Sequence, residues 1–282
     1  MAGIDGGKFN LIGDIFPFPK HLTYIEAFAG SVVVLFNKIP SEVETVNDIN
    51  GRLVNMYTSI QVDRRKFIDF CEHEYGIDSR QLFEYCRDNV ADDKIEDAAR
   101  VYYVNHHSFS QMMTAYHGLS FTGKEHWHHP YLNKLQDIEE FYERIKFVQF
   151  EHQDFRTLLE RCDREGVLLY LDPPYFKGGS AYTNMVGMEE HEWTTKDFLD
   201  LREILTNLKR AMFVLSIDRT DFWLEEMPNL YVQPVERTNA ASMCVGGEKS
   251  TDIEYVIRNF DIKKVPLMEK KGENKFKSDM IL

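Results

Sequence analysis

Apolar and polar positions alternate in two different ways along the chain. In residues 1–60 and 145–260, short apolar runs are each followed by a stretch whose apolar residues have helical spacing. Such alternation predicts an α/β fold, with a mostly parallel sheet and helices on both faces. Residues 61–144 have no parallel-strand pattern and are rich in aromatic, histidine and charged residues, which predicts an inserted helical subdomain.

Individual runs predict the elements of the α/β part. Ser31 and Asp154 are candidate N-caps of helices that follow predicted strands, and Thr194 or Thr195 opens another helix. The parallel strands are predicted at residues 23–28, 42–47, 146–151, 167–171 and 211–217.

The end of the chain has a different pattern. Residues 230–237 and 252–260 are two further apolar runs, joined by a polar stretch with two adjacent glycines. This arrangement predicts an antiparallel hairpin at one edge of the sheet. Residues 261–282 are rich in Lys and Glu and have few periodic apolar residues, so they predict a loose or peripheral C-terminal tail.

Bulk composition excludes several classes of protein. The chain has 282 residues, of which 43% are hydrophobic, enough for a sizeable core. Neither a membrane span nor a signal peptide is expected, because no suitable apolar stretch occurs. The four cysteines form no Cys-x-x-Cys pair, which predicts reduced thiols in a cytoplasmic compartment. The net charge of −13 disfavours a nucleic-acid partner, although a local basic cleft can lie on an acidic body.

Two polar motifs lie at the carboxyl ends of predicted strands near the start of the chain, where ligands of open parallel sheets bind. Glu26, Phe28 and Gly30 lie in EAFAGS just before a predicted helix, and the glycine lets a ligand approach the main chain closely. Asp48 follows the next strand and can accept both ribose hydroxyl protons of a nucleoside. Val32 stands where a pyrophosphate would require a further glycine, so S-adenosylmethionine (AdoMet) fits better than a dinucleotide.

The stretch Asp172-Pro173-Pro174-Tyr175 follows the apolar run at residues 167–171. The carboxylate of Asp172 and the main-chain carbonyl of Pro173 can each accept one N–H of an exocyclic amine on a nucleobase, which exposes the nitrogen lone pair to a methyl donor. The prolines hold the carbonyl direction because they fix φ and lack N–H groups. Tyr175 offers a ring on which an extruded base can stack. These residues therefore predict methyl transfer to a planar amine.

The order of these motifs resembles that of the DNA adenine-N6 methyltransferases of the Dam type (D12 class). The similar stretches are GIDGGK, YIEAFAGS, NDIN, HQDF, DPPY and IEYVIRNF. The resemblance implies a Rossmann-like, AdoMet-binding catalytic domain at residues 1–60 and 145–260, a target-recognition insert at residues 61–144, and a tail at residues 261–282. The implied reaction is methylation of adenine N6 in double-stranded DNA, after the base flips into the DPPY pocket.

The resemblance also implies roles for single residues. Lys8 would lie near AdoMet and the active site, and Asp154 and Phe155 would contact the cofactor adenine. The implied cofactor-binding set is Lys8, Glu26, Phe28, Gly30, Asp48, Asp154, Phe155 and Asp172. The late hairpin would enter the major groove of DNA with three side chains, two of them suited to guanine and adenine edges: Arg237, Asn239 and Lys249.

Several questions stay open at the level of sequence. DPPY serves any planar amine, so cytosine N4 or an RNA base is an alternative substrate, and a non-catalytic nucleic-acid-binding relative is an alternative function. Family members that read GATC carry an Asn-Gly-Leu-x-Arg-like stretch, whose Asn and Arg are absent from residues 112–126. No metal is expected, because the clustered histidines lack Cys partners and His-x-x-x-His spacing. The oligomeric state is left open between a monomer and a weak dimer.

Overall fold

The structure, a computed structural model, describes residues 13–108, 113, 115–117, 130–174, 185–186, 193–218, 227, 229–238 and 251–268. Contacts between residues divide the chain into two compact units. The first unit is built mainly of strands, and the second is built mainly of helices. The first comprises Met1–Asp48, Gln153–Gly179 and Glu192–Ser278, and the second comprises Ile49–His152, Ser180–His191 and Asp279–Leu282.

The described residues contain the strands β1 (Thr23–Glu26), β2 (Val43–Asn47), β3 (Gln149–Glu151), β4 (Val167–Leu171), β5 (Met212–Ile217), β6 (Tyr231–Thr238) and β7 (Thr251–Arg258). They form one seven-stranded sheet in the order β3-β2-β1-β4-β5-β7-β6. Strands β2, β1, β4 and β5 run parallel, whereas β7 is antiparallel to both β5 and β6. The predicted α/β fold, with its parallel sheet and late antiparallel hairpin, is therefore confirmed.

Helices of different length occur in the two units. Those of the first unit are α1 (Val33–Asn37), α7 (Phe155–Leu159) and α8 (Thr195–Asn207). Those of the second unit are α2 (Gly51–Asp69), α3 (Arg80–Asp88), α4 (Lys94–His106), α5 (Pro130–Lys134) and α6 (Ile138–Ile145), with a π-helical turn at Phe70–Glu74 and a 3₁₀ turn at Leu135–Asp137.

Two of the predicted helix N-caps are confirmed, and one is wrong. Asp154 caps α7 by accepting from the Arg156 amide, and Thr194 caps α8 through a capping box, so both predictions are confirmed. The prediction that Ser31 caps α1 is wrong. The residue before α1 is Val32, whose φ of 50° is left-handed and whose side chain makes no cap bond. The N-cap position therefore lies one residue beyond Ser31, and the helix begins at Val33.

The two faces of the central sheet differ in chemistry. One face packs against α7 and α8 through buried aliphatic and aromatic side chains, each of which contributes about 1.5–3 kcal/mol on full burial. Examples are Ile25, Leu169, Leu215, Phe198 and Leu201. Because side chains alternate along a strand, the intervening residues lie on the other face. That face carries buried polar groups: Tyr24, Glu26, Tyr170, Ser216 and Glu254.

A buried ion pair lies on this polar face at the amino ends of β1 and β2. Lys38 and Glu44 are 2% and 6% exposed, and the Lys38 ammonium bonds the Glu44 carboxylate. Lys38 Nζ also donates to Ile39 O and Ser41 Oγ, both at 2.8 Å, and lies 4.5 Å from the centre of the Tyr24 ring. The ammonium therefore has the full set of partners that a buried charge requires.

His21 adjoins this ion pair as a neutral imidazole. Its Nδ1 is 2.7 Å from Pro19 O, so Nδ1–H donates there, and its Nε2 is 2.8 Å from Ser41 Oγ. Burial lowers the pKa of His21 from its ordinary value of 6.5, and the nearby positive charge of Lys38 lowers it further, against the opposing effects of Pro19 and Glu44. The folded chain therefore favours the uncharged ring.

We expect His21 to make stability fall as the pH drops. A pKa lowered by folding contributes stability that is complete above the unfolded value of 6.5 and is lost as the pH falls below it. The slope from one such group is at most about 1.4 kcal/mol per pH unit. Urea unfolding of the wild type and His21→Gln at pH 7 and pH 5 measures it. Equal pH dependence in the two proteins would contradict the assignment.

The start of the predicted C-terminal tail is not loose. Met268 N–H donates to Phe18 O at 2.9 Å, and Lys20 N–H donates to Pro266 O at 2.7 Å. These bonds flank an antiparallel bridge between Pro19 and Leu267. The main chain at residues 266–268 is therefore fixed to the first unit by pairing that its side-chain pattern does not indicate.

The second unit has its own buried ion pair. Arg52 Nε and Nη2 donate to the two carboxylate oxygens of Asp97, at 2.9 and 2.5 Å, and both side chains are 6% exposed. Arg52 Nη1 donates to Val186 O at 2.6 Å, and the Asp97 carboxylate also accepts from Ala91 N–H at 3.1 Å. Arg52 stands in the first turn of α2, where the Asn50 side chain accepts from its amide. The pair joins α2 and α4.

Candidate active site

Three carboxylates lie at the carboxyl ends of three adjacent strands. Glu26 is the last residue of β1, Asp48 follows β2, and Asp172 follows β4. Strand register pairs Glu26 with Val46 and with Tyr170, so Asp48 and Asp172 each stand two residues beyond Glu26. In the sheet, β2 lies on one side of β1 and β4 lies on the other side, so the strand order reverses its direction at β1. The acids therefore meet at the switch point, where open parallel sheets bind ligands.

Gly30 and Asp48, predicted as a nucleoside-binding pair, are in contact. The Gly30 N–H donates to Asp48 Oδ2 at 3.2 Å, although the residues are 18 positions apart. Gly30 has φ +46°, a left-handed conformation that favours glycine. Among the described residues other than its two chain neighbours, no heavy atom lies within 4 Å of where a Cβ on Gly30 would stand. The loop after β1 therefore leaves room beside an acid.

Asn47 ties the loops of this site together. Its Nδ2 donates to Ala27 O at 3.1 Å and to Gln153 O at 3.0 Å, and its Oδ1 accepts from Gln153 N–H at 3.0 Å. Its own carbonyl accepts from the Ala29 amide at 2.8 Å. A buried amide with every contact made to main chain fixes three segments at once. Sequence reasoning missed Asn47; a polar residue ending an otherwise apolar strand was the available signal.

Three aromatic rings form a cluster next to the acids. Ring centroids are 5.6 Å apart for Phe28 and Phe155, 5.2 Å for Phe155 and Trp193, and 5.4 Å for Phe28 and Trp193. The structure thus brings together the two predicted aromatic residues and adds a third, Trp193, that sequence reasoning did not select. The cluster presents an apolar surface suited to a flat heterocycle.

Asp154 lies beside this cluster with partners of its own. Its Oδ1 accepts from the Arg156 amide at 2.8 Å, and its Oδ2 accepts from Arg156 Nη1 at 3.0 Å. Arg156 also pairs with Asp197 and Asp200 of α8. The burial of Arg156 opposes its charge, but these acids raise its pKa above the ordinary value. The structure therefore gives Asp154 a capping role; a cofactor contact stays a prediction.

The predicted catalytic acid extends from a fully buried strand. Every residue of β4 is buried, Asp172 and Pro174 are half-buried, and Pro173 is buried. Burial raises the pKa of Tyr170 well above its usual range, and the charge of Asp172 raises it further. A rigid strand end of this kind holds the Asp172 side chain and the Pro173 carbonyl in a constant relation.

One comparison decides the family. The model of the D12 class N6 adenine-specific DNA methyltransferases matches residues 5–264. The chain belongs to this family. D12 class methyltransferases in general depend on AdoMet.

Two relatives of this D12 methyltransferase have names that agree with the family. The DNA N-6-adenine-methyltransferase of Escherichia phage P1 is 29% identical over 218 residues, which cover 73% of this chain but only 28% of the phage protein. The type II methyltransferase M.CviBI of Paramecium bursaria Chlorella virus NC1A is 26% identical over 251 residues, which cover 84% of this chain and 90% of the viral protein. Among solved structures, a conserved hypothetical protein of Streptococcus pyogenes is 13% identical with a TM-score of 0.33. The match covers 88% of this chain and 92% of that protein's chain.

Several predicted residues of the methyltransferase fall outside the described part of the chain. For Arg237 the structure describes the main chain, in β6, but not the side chain. The predicted DNA-binding hairpin is thus described in its strands alone. The residues outside the description are Lys8, Tyr175, Asn239 and Lys249.

Among the described residues of the methyltransferase, no group of three or more His, Cys, Asp or Glu side chains is arranged to hold a metal ion. Within the same residues, no helix has the length and apolar character needed to cross a membrane. The described cysteines, Cys71, Cys86 and Cys162, are buried free thiols.

Proposed function

We propose that the protein transfers a methyl group from AdoMet to N6 of adenine in double-stranded DNA, within the cytoplasm of a prokaryotic or phage-infected cell. The observation that carries the proposal is the meeting of Glu26, Asp48 and Asp172 at adjacent strand ends, in a chain of the D12 family. Asp48 suits the ribose of the cofactor, and Asp172 is the first residue of the DPPY motif.

Cofactor binding is assigned to the groups around the switch point. Asp48, placed by its bond from the Gly30 amide, accepts the ribose hydroxyls. The rings of Phe28 and Phe155 pack against the cofactor adenine, with Trp193 behind them. AdoMet supplies an electrophilic methyl group on a sulfonium cation. The negative charges of Glu26 and Asp172 favour a cation at this edge of the sheet.

The remaining assignments of the cofactor pocket depend on family resemblance. Asp154 borders the cofactor adenine from the start of α7, where its capping bonds fix its position. Lys8 approaches the cofactor and the active site. Both roles are proposed together with those of Asp48 and Phe28.

Asp172 and Pro173 activate the target amine. The Asp172 carboxylate accepts one N–H of the adenine amino group, and the Pro173 carbonyl accepts the other. These bonds draw the nitrogen toward a tetrahedral geometry and direct its lone pair at the methyl donor. Pro174 keeps the main chain rigid, and the Tyr175 ring stacks on the flipped base. Positioning of the reactants supplies much of the rate.

DNA recognition is assigned to the insert and the late hairpin. We place residues 61–144 and the β6–β7 hairpin against duplex DNA. Arg237 and Asn239 suit guanine and adenine edges in the major groove, and Lys249 is the third DNA-binding residue. The chain is proposed to act as a monomer or weak dimer.

Nucleoside composition of DNA tests the proposal. DNA from cells expressing the chain is digested to nucleosides and weighed by mass spectrometry; we expect N6-methyldeoxyadenosine above the level of a methylase-free host. Methyl groups found on N4 of cytosine or in RNA would show that the chain catalyses the same reaction on a different substrate. Calorimetry with AdoMet separates the remaining alternative, because a non-catalytic relative that lacks cofactor binding would give no heat.

A further inference from the structure

Arg156 connects the start of α7 with the start of α8. Its Nε donates to Asp200 Oδ2 at 2.7 Å, its Nη1 donates to Asp154 Oδ2 at 3.0 Å, and its Nη2 donates to Asp197 Oδ1. Asp154 caps α7, whereas Asp197 and Asp200 belong to α8. One guanidinium therefore binds three carboxylates, with a separate nitrogen for each. Because the donors form a planar fork, these bonds fix the plane of the guanidinium.

The same guanidinium lies over the ring of Phe155. The distance from Arg156 Cζ to the ring centroid is 4.4 Å, within the range at which a cation is attracted to the face of an aromatic ring. The ring is buried, with 4% of Phe155 exposed, and 26% of the Arg156 side chain is exposed. Since the acids hold the guanidinium in place, they also hold the ring beneath it.

Asp197 extends this contact to the main chain beside Trp193. Its Oδ1 accepts from Arg156, and its Oδ2 accepts from the Thr194 amide at 2.7 Å and from the Thr194 hydroxyl at 2.6 Å. Thr194 directly follows Trp193, whose ring centroid is 5.2 Å from that of Phe155. The ring of Phe155 and the main chain that carries Trp193 are therefore fixed by the same guanidinium.

We propose that Arg156 is a positioning residue for the cofactor, which holds the rings of Phe155 and Trp193 in the arrangement that receives the adenine of AdoMet. Its bond to Asp154 also fixes the carboxylate that is proposed to border the adenine. Arg156 acts through these side chains and is assigned no contact with the reacting atoms. This inference rests on the proposed function.

Removal of the guanidinium should weaken cofactor binding without slowing the chemical step. We expect Arg156→Gln to raise the Kd for AdoMet about tenfold, because the Phe155 ring loses the cation that holds it in place. The kcat at saturating AdoMet should change less than about twofold, since contacts to the adenine are the same in the ground and transition states. Calorimetry gives Kd, and transfer of a labelled methyl group to DNA gives kcat.

Two results for Arg156→Gln would overturn the inference: an unchanged Kd, or a fall in kcat as large as the expected rise in Kd. Urea unfolding shows whether the variant is folded. Arg156→Lys keeps the charge but lacks the planar fork. If Arg156→Gln does not fold, Arg156→Lys takes its place, with the same expected and contrary results.

Lys196→Gln is the matched control, because it removes one positive charge from the same group of acids. Lys196 Nζ donates to Asp200 Oδ2 at 2.7 Å, and among the described residues it bonds Asp200 alone. Its side chain is 78% exposed, so its loss should leave the Kd for AdoMet within about twofold of wild type. An equal rise in Kd in Lys196→Gln and Arg156→Gln would show a general effect of charge and would also overturn the inference.

A double-mutant cycle tests whether Arg156 acts through Phe155. In Phe155→Leu the aromatic ring is already absent, so adding Arg156→Gln should raise the Kd for AdoMet by less than about twofold more. A further rise of about tenfold, equal to the effect in the wild-type background, would show that the two residues act independently. That result would contradict a positioning role.

Fluorescence of Trp193 tests the ring arrangement without the cofactor. The chain has three tryptophans, and replacement of the other two by Phe leaves Trp193 as the only one. In this background, we expect Arg156→Gln to shift the Trp193 emission to longer wavelength and to increase its quenching by acrylamide, because the half-buried indole loses packing against Phe155. Lys196→Gln should change neither property. An unchanged emission in Arg156→Gln would overturn the inference.

These measurements separate the failure of the inference from the failure of the proposed function. AdoMet binding that is equal in the wild type and Arg156→Gln would agree with the proposed function and overturn the inference alone. A shifted Trp193 emission in a chain that binds no AdoMet would support the contact with the rings, refute the proposed function, and so overturn the role of Arg156 in cofactor binding.

Discussion

Asp172→Ala is expected to lower the rate of methyl transfer about 10³-fold, while AdoMet affinity stays within a few-fold of wild type. In the proposed mechanism, Asp172 polarises the target amine through an interaction that strengthens as the nitrogen becomes tetrahedral, and groups of this kind typically supply about 10²–10³ in kcat. Loss of the stacking and ribose contacts would instead weaken binding. Asp172→Asn keeps the shape of the side chain and one neutral acceptor oxygen. Its rate of methyl transfer should therefore lie between those of the wild type and Asp172→Ala.

Single-turnover transfer of a labelled methyl group to DNA gives the rate, and calorimetry gives the AdoMet affinity. Unfolding by urea checks that the variants remain folded, since Asp172 lies beyond the end of β4 rather than within it. A wild-type rate in Asp172→Ala would remove Asp172 from the reaction. A loss of AdoMet affinity as large as the loss of rate would show that Asp172 acts mainly in cofactor binding and would remove it from the activation of the amine.

Asp97→Asn is expected to have the largest effect on stability, a loss of about 3–5 kcal/mol, because it leaves the buried charge of Arg52 without a counter-charge. Arg52 cannot relieve this cost by losing its proton. The new amide would also place an N–H₂ group against the guanidinium, which is itself a donor. The stability of the helical unit depends on this contact, which joins α2 to α4.

Glu139→Gln is the matched control, since it removes one charge from a similar two-bond pair on the surface. Arg64 donates to the two Glu139 oxygens at 2.6 and 2.8 Å, but the side chains are 27% and 60% exposed. Exposed pairs contribute about 0.2–1 kcal/mol. Urea unfolding of the three proteins at one pH and salt concentration measures both effects. Equal losses in the two variants would contradict the burial argument.

The sheet could be predicted from the sequence because its strands have strong local patterns. The continuous apolar run of β4 and the antiparallel hairpin of β6 and β7 are both present as predicted. Element ends were less accurate. Helix α7 stops at Leu159, although helical spacing continues to residue 164, and β3 begins at Gln149 instead of residue 146. Tertiary packing, which local periodicity does not include, sets these ends.

The sequence predicted the acids of the candidate site but not all of the residues that support them. Glu26, Asp48 and Asp172 each lie at the end of a recognisable strand, so their shared edge could be inferred from parallel topology. Asn47 and Trp193 were missed because each looks ordinary in its local stretch. Asn47 acquires its role through bonds to distant main-chain groups, including those of Gln153, 106 positions away.

By itself, the sequence determined the α/β class, the order of the motifs and membership of the D12 family, because these depend on periodicity and on neighbouring residues. Only the tertiary structure decided that Gly30 donates to Asp48, that three aromatic rings meet, and that Arg156 pairs with Asp197. The Arg156–Asp197 contact joins residues 41 positions apart, at the starts of two helices whose positions are set by packing on the sheet. Local patterns carry no information about such distances.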